Sequence, residues 1–340
     1  MIDPALPLID LHRHLEGCVR LETLLELGNQ HNLPMPAWTV EGLRPFVQVS
    51  EPQPGVMAFI SRFEWITKIM VDAEACRRLA FENVQIASEE GIDYFELRFS
   101  PWFMAETHHL NPTDIVAAVV EGTQEGSRAF HLPVKLIGIL SRTYGPEICQ
   151  KELEALLTQR DGITALDLAG DEAHFPGALF VNHFRQARDA GWKVTVHAGE
   201  SDGPASIRQA IRELGASRIG HAVQALQDPD LLNEMAQKSI AIECNLTSNV
   251  QTSTVPDFPH HPLKTFLKHG LLATINSDDP TISAIDLRHE YEVAAPAAGL
   301  TQPQIRQAQI NALKAAFLSD AERDSLMQRA ARRGSPNPAS

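Results

Sequence analysis

Cysteine is scarce and scattered in this chain. Cys18, Cys76, Cys149 and Cys244 are the only four in 340 residues, and no two form a Cys-x-x-Cys pair. That spacing argues against a zinc ribbon, an iron–sulfur site and a disulfide framework. Basic charge is short as well: 29 Lys and Arg against 43 Asp and Glu give a formal net charge of −14, with no basic cluster. A nucleic-acid backbone or an anionic membrane is therefore not an expected partner. No uninterrupted apolar run is long enough to span a bilayer. The opening Met-Ile-Asp-Pro-Ala-Leu-Pro has no basic stretch ahead of an apolar core, so it does not read as a secretory signal, and the expected location is the cytoplasm. No low-complexity tract is present, and no Gly-x-Gly-x-x-Gly follows the first strand-like run, which weakens the case for a dinucleotide-binding open sheet.

What is present supports a large core, since 44% of the residues are hydrophobic. Eight short β-like runs, at 8–12, 92–99, 134–140, 163–169, 192–197, 218–221, 240–244 and 272–276, alternate with helical segments. Several are almost continuously apolar, as parallel strands buried on both faces are. Asp228-Pro229 offers a helix N-cap followed by proline at the first helical position, and Ser319-Asp-Ala-Glu322 has capping-box spacing. Eight β–α units predict an α/β fold, a (β/α)8 TIM barrel formed by one domain over 1–330, with a frayed tail at 331–340. The stretch 35–71 is too long for a simple crossover. It carries Pro36, Pro45, Pro52 and Pro54 before the amphipathic Phe59-Ile-Ser-Arg-Phe63-Glu-Trp65. We read it as a helical insertion above the barrel mouth, either a lid or a decoration.

The active site of such a barrel lies at the C-terminal ends of its strands, and those ends hold most of the chemistry-bearing residues. His12 and His14 close the first run and Glu16 follows; side chains two apart on a strand share a face, so both imidazoles address one point. Strand four leads to Asp167, Gly170, Asp171 and Glu172, strand five to His197-Ala-Gly-Glu200, and strand six to His221. Strand seven leads to Asn245, Thr247, Ser248 and Asn249, and strand eight to Ser277-Asp278-Asp279-Pro280. The strand bodies between are read as largely apolar. The simplest assembly is one zinc ion held by His12, His14, His197 and Asp278, with a position left open for water. Strand four ends without a lysine, which argues against a two-metal centre. Glu200 then stands close enough to act on a substrate without binding metal, and His221 and Asp279 remain to move protons or hold substrate.

Two patterns compete for attention. Gly199-Glu-Ser201-Asp-Gly203 matches the Gly-x-Ser-x-Gly nucleophile elbow, with Asp257 and His269 or His289 as conceivable partners. That assignment leaves His12, His14 and the Asp278-Asp279 doublet without a task. The pairs His108-His109 and His260-His261 lack strand-end placement and are expected at the surface.

The segments His12-Arg-His-Leu-Glu-Gly17, Leu166-Asp-Leu-Ala-Gly-Asp-Glu172, Val196-His-Ala-Gly-Glu200, Arg218-Ile-Gly-His221, Leu246-Thr-Ser-Asn249 and Asn276-Ser-Asp-Asp-Pro280 resemble, in order, those of the adenosine deaminase family of amidohydrolase-like barrels. The resemblance implies one zinc per chain on His12, His14, His197 and Asp278, and a purine nucleoside or base as the small-molecule partner. It implies that Glu200 protonates ring N1 while water adds at C6, that His221 orients the attacking group and assists proton transfer, and that Asp279 bonds N7. The Gly170 N–H would reach N3, and Phe59 and Phe63 would gate the purine. The expected reaction is deamination of adenosine and 2′-deoxyadenosine. Two positions depart from the family pattern: Glu16 stands where the ribose-contacting residue is usually aspartate, and Ala222 where glycine is usual. The alternative substrates are accordingly adenine or a modified 6-aminopurine. An inactive purine-binding relative would have lost a ligand or the Glu200 carboxyl, and neither is lost.

Overall fold

The computed structural model describes residues 2–334. Eight parallel strands run in the order of the chain: β1 (Ile9–His14), β2 (Tyr94–Phe99), β3 (Val134–Ser141), β4 (Ile163–Ala169), β5 (Lys193–Ala198), β6 (Arg218–His221), β7 (Ala241–Cys244) and β8 (Leu272–Ile275). The His14 N–H donates to the Asp278 carbonyl at 2.9 Å and the Asp278 N–H to the His12 carbonyl at 2.8 Å. Those two bonds bring the end of β8 back against β1 and make the sheet a nearly closed (β/α)8 barrel, with helices on the outside. The seam between β4 and β5 is the loosest, with only Ala165–Lys193 and Leu166–Val194 in register. Beyond it the buried Arg142 guanidinium donates to the carbonyls of Leu168 (3.0 Å) and His197 (2.7 Å), supplying donors the splayed strands lack.

The strand bodies are not as apolar as the sequence suggested. Outward-facing residues pack with the helices in one large hydrophobic core and a smaller one that joins Ile9 and Leu11 of β1 to Ala312, Ala316 and Leu326. The interior instead holds Asp10, Glu96, Arg98, Asp167, Arg218 and Glu243, all essentially without solvent exposure. Arg98 donates to Asp167 (2.7 Å), Glu243 (2.8 Å) and the Leu11 carbonyl (2.7 Å), while Arg218 pairs with Glu96 and Glu243. Each charge is buried only because its partners satisfy it.

The insertion between β1 and β2 is made of short pieces: Val40–Val47, Val56–Ile60, a 3-10 turn Ser61–Phe63, and Glu64–Lys68. Proline-rich connections keep it from forming one long helix. Phe59 and Phe63 are buried and meet edge to face at 6.3 Å, and Phe63 meets Phe103 at 5.9 Å. The expected caps are in place: Asp228 accepts the Leu231 N–H, and Ser319 and Glu322 form reciprocal capping bonds. The last helix, Asp320–Gly334, continues into the segment expected to fray from 331, and residues 335–340 lie outside the described ones. Among the described residues no helix is long and apolar enough to cross a membrane.

Candidate active site

The C-terminal strand ends converge as the sequence implied. His12 Nε2 lies 3.0 Å from His197 Nε2 and 3.1 Å from Asp278 Oδ1, and His14 Nε2 lies 3.3 Å from the same carboxylate oxygen. The four nearest potential ligand atoms belong to His12, His197, His221 and Asp278; a second group joins His14, Asp278 and Asp279. His221 is thus closer to this cluster than expected, its Nε2 being 3.8 Å from Asp278 Oδ2.

Partners on the far side of each ring decide what faces inward. His12 Nδ1 is 2.8 Å from Glu243 Oε2, and His197 Nδ1 is 3.0 Å from Asp167 Oδ2. A carboxylate takes the proton of a neutral imidazole at that nitrogen, leaving the other nitrogen as a bare lone pair. Two such lone pairs then face each other across 3.0 Å beside an Asp278 oxygen, with no proton to share between them. Three acceptors aimed at one point repel unless a cation stands among them, so these residues fit a metal ion. Burial by itself raises the Glu243 and Asp167 carboxyls. Arg98 and Arg218 beside Glu243, and His197 and Arg98 beside Asp167, outweigh that and hold both well below the ordinary carboxylate range.

The backbone around the cluster is constrained. His221, Ala222 and Asp278 have φ of 64°, 52° and 60°, a left-handed conformation that costs a side-chain-bearing residue about 1–2 kcal/mol. The Ala222 methyl group, one of the two departures from the family pattern, is fully buried and does not line the cavity.

A cavity of about 210 Å³ opens above the cluster. Its lining includes His14, Glu16, Phe59, Phe63, Gly170, His197, Glu200, His221, Asp278 and Asp279, so all the expected substrate-side residues reach it. Met57, Ile60 and Phe103 complete an apolar wall, and no lysine or arginine lines it among the described residues. Glu16 Oε1 accepts the Ser100 N–H at 2.7 Å, which tethers the longer side chain against the end of β2. Burial, then repulsion by Asp278 and Glu172, raises the Glu200 carboxyl well above its ordinary value. Asp279 is raised likewise by burial and by Asp278, and its Oδ1 is a buried atom with no hydrogen-bond partner.

Several roles escaped the sequence reading, which named Glu172 and Asp167 only as strand-end residues. Glu172 accepts the N–H groups of Gly199, Glu200, Ser201 and Asp202 and the Ser206 hydroxyl, so one carboxylate fixes the turn that carries Glu200. Arg98, Asp167 and Glu243 hold the histidines from behind. The charges breaking otherwise apolar runs at Glu96, Arg98 and Glu243 were the available signal. His261 is 3% exposed, not at the surface, and bonds Asn249. The Pro262 that follows it made its segment read as a solvated loop. The nucleophile-elbow alternative fails: Ser201 is exposed, the proposed acid Asp257 is paired with His260, and His269 Nδ1 is taken up by the Thr265 carbonyl.

A nearly closed α/β barrel with buried histidines and aspartate at its C-terminal mouth defines an amidohydrolase-type enzyme. Solved structures agree on the fold. An adenine deaminase from Arthrobacter aurescens superposes with a TM-score of 0.88 at 21% identity, covering 96% of this chain and 98% of that one. An amidohydrolase from Burkholderia ambifaria, with bound Zn, gives 0.86 at 24% identity over 97% and 91%. The adenosine deaminase family matches residues 7–332, and the Adenosine deaminase of Klebsiella pneumoniae (strain 342) is 58% identical over 332 residues, 98% of this chain and 100% of that protein. This chain belongs to the adenosine deaminase family, and it is a hydrolytic deaminase.

Proposed function

We propose that the chain releases ammonia from C6 of adenosine and 2′-deoxyadenosine at one zinc ion held by His12, His14, His197 and Asp278. The observation that carries this is the pair of bare Nε2 atoms of His12 and His197, 3.0 Å apart beside Asp278 Oδ1. A divalent ion bound there supplies Lewis acidity that makes water a nucleophile near neutral pH. Glu200, kept protonated by burial, delivers its proton to N1 as water adds to the adjacent carbon. Asp279, also protonated, donates to N7, and the Gly170 N–H meets N3. His221 orients the attacking water. Phe59 and Phe63 roof the purine and exclude bulk water, while Glu16 stands toward the sugar with the Ser100 N–H fixing one oxygen. The N1 proton stays on the ring. Of the two protons of the added water, one leaves with the amino group as ammonia and the other restores the Glu200 carboxyl, which leaves inosine from adenosine.

The reading is tested by ammonia release from adenosine, 2′-deoxyadenosine and adenine in parallel by the zinc-loaded protein. Fast turnover of both nucleosides supports it. Turnover of adenine alone, or of a modified 6-aminopurine alone, would shift the substrate assignment and trace it to the tethered Glu16.

A further inference from the structure

Hydrogen-bond direction across a buried relay fixes a proton at the centre. His261 follows the short turn Phe258–His260, and its Nδ1 is 3.2 Å from the Leu263 backbone nitrogen. A backbone N–H can only donate, so His261 Nδ1 is the bare nitrogen and the ring proton sits on Nε2. That Nε2–H lies 3.2 Å from Asn249 Oδ1, which must therefore be the oxygen end of the amide. The Asn249 amino group is left with two protons and has two acceptors: Thr254 Oγ1 at 3.2 Å and His221 Nδ1 at 2.9 Å. The Asn245 amide nitrogen lies 3.3 Å from the same His221 nitrogen and 3.5 Å from Nε2, so it sits along the ring edge. The Glu200 carboxyl, raised by burial, lies 3.5 Å from Nδ1, where in its protonated form it too can only donate to a bare nitrogen.

We infer that Asn249 and His261 are positioning residues that set the tautomer of His221, holding its proton on Nε2 so that the ring presents a donor to the reacting centre. The logic separates three neighbouring imidazoles. His221 stands 5.0 Å from His12 and 5.1 Å from His197, ring centre to ring centre. Carboxylates behind His12 and His197 turn lone pairs inward, whereas an amide donor behind His221 turns an N–H inward. Proximity alone would make His221 a ligand; the relay makes it the histidine that donates. Burial pushes the His261 ring down to about 3, so it stays neutral and the direction of the relay is not reversed near neutral pH. In this state His221 donates to the oxygen of the attacking water and holds it in place, and its Nε2 has no lone pair with which to take that water's proton. The assignment rests on the placement of His221 at the reacting centre.

The test uses full-length zinc-loaded protein. In 15N-labelled wild type, histidine 15N–1H correlation spectra are expected to show His221 protonated at Nε2 and bare at Nδ1, with its signals identified by their loss in His221→Gln. A proton on Nδ1 overturns the inference. Asn249→Asp replaces the donor by an acceptor and should draw the proton to Nδ1, lowering kcat by about tenfold or more with KM for adenosine changed less than about threefold. His261→Leu should lower kcat in the same way, and His261→Gln, which keeps an N–H donor, should recover most of it. Wild-type kcat in Asn249→Asp with the tautomer reversed overturns the positioning role. Wild-type kcat in His221→Gln instead removes His221 from the reacting centre, and the wild-type spectrum still judges the tautomer.

Discussion

Glu172→Gln is a sharp perturbation because the two side chains have nearly the same shape. In the wild type Oε2 accepts the N–H groups of Glu200 (3.1 Å), Ser201 (2.9 Å) and Asp202 (3.1 Å), while Oε1 accepts the Gly199 N–H and the Ser206 hydroxyl, both at 2.6 Å. Glutamine has one acceptor oxygen. Its best orientation keeps that oxygen on the three N–H groups and turns its amino group toward Gly199 and Ser206. The Ser206 hydroxyl can reverse and accept; the Gly199 N–H cannot, and is left buried against another donor. One unsatisfied donor costs about 1–3 kcal/mol, and the remaining bonds lose charge assistance, so a loss of about 2–5 kcal/mol is expected. The turn also carries Glu200, and a shift near 1 Å at a reacting group costs on the order of 100-fold in rate. Glu172 further raises the Glu200 carboxyl, third after burial and Asp278. With Glu200 as the proposed acid, activity is expected below its folded pKa and lost as pH rises through it. Removing the Glu172 charge lowers that pKa, and the alkaline limb of the kcat profile should move to lower pH. Urea denaturation and a pH profile on the zinc-loaded variant measure both effects. An unmoved alkaline limb together with wild-type kcat would refute the reasoning.

Glu200→Gln should retain metal and lose about 10²–10⁴-fold in kcat, since the amide has no proton to give; metal analysis beside single-turnover assays checks it. Arg98→Met leaves Asp167 and Glu243 buried without their shared cation, and should cost about 3–5 kcal/mol in denaturant unfolding. The same variant should weaken metal retention by about 10–100-fold in competition with a chelator, because the carboxylates behind His12 and His197 are no longer held. Glu152, buried beneath Ser100 and Ser141, is pushed up to about 7 by burial. Its folded pKa exceeds its unfolded one, so its contribution to stability is complete below about pH 4.5 and is lost as pH rises through about 7, by up to about 1.4 kcal/mol per pH unit. The stability difference between wild type and Glu152→Gln should shrink over that interval; a constant difference would show that Glu152 does not titrate there.

The barrel was legible because its strands are short runs of buried residues at regular intervals, and a one-dimensional pattern suffices for that. The candidate ligands at the strand ends were placed by the same pattern: His12, His14, His197 and Asp278 each occupy the position that a parallel barrel turns toward its mouth. Interactions made across the barrel were not. Arg98 reaches Glu243 across 145 residues and Glu172 reaches the turn at 199–202 from the preceding strand end, and no local period encodes such pairings. His261 is the plainest miss. Its loop composition reads as exposed, but its burial is set by the packing of the segment against Asn249. β1 also runs two residues further than its apolar pattern, through His14, because the register shift between Asp10 and Arg13 lets the polar end stay paired with β2 while it meets Asp278.

The most direct measurement is a zinc titration of metal-free protein followed by adenosine turnover at each step, on wild type and Asp278→Ala together. Wild-type activity is predicted to rise in proportion to added zinc and stop at one equivalent per chain, while Asp278→Ala binds weakly and gains little. Full activity without metal, a plateau at two equivalents, or an Asp278→Ala curve matching wild type would contradict a single zinc centre built on His12, His14, His197 and Asp278.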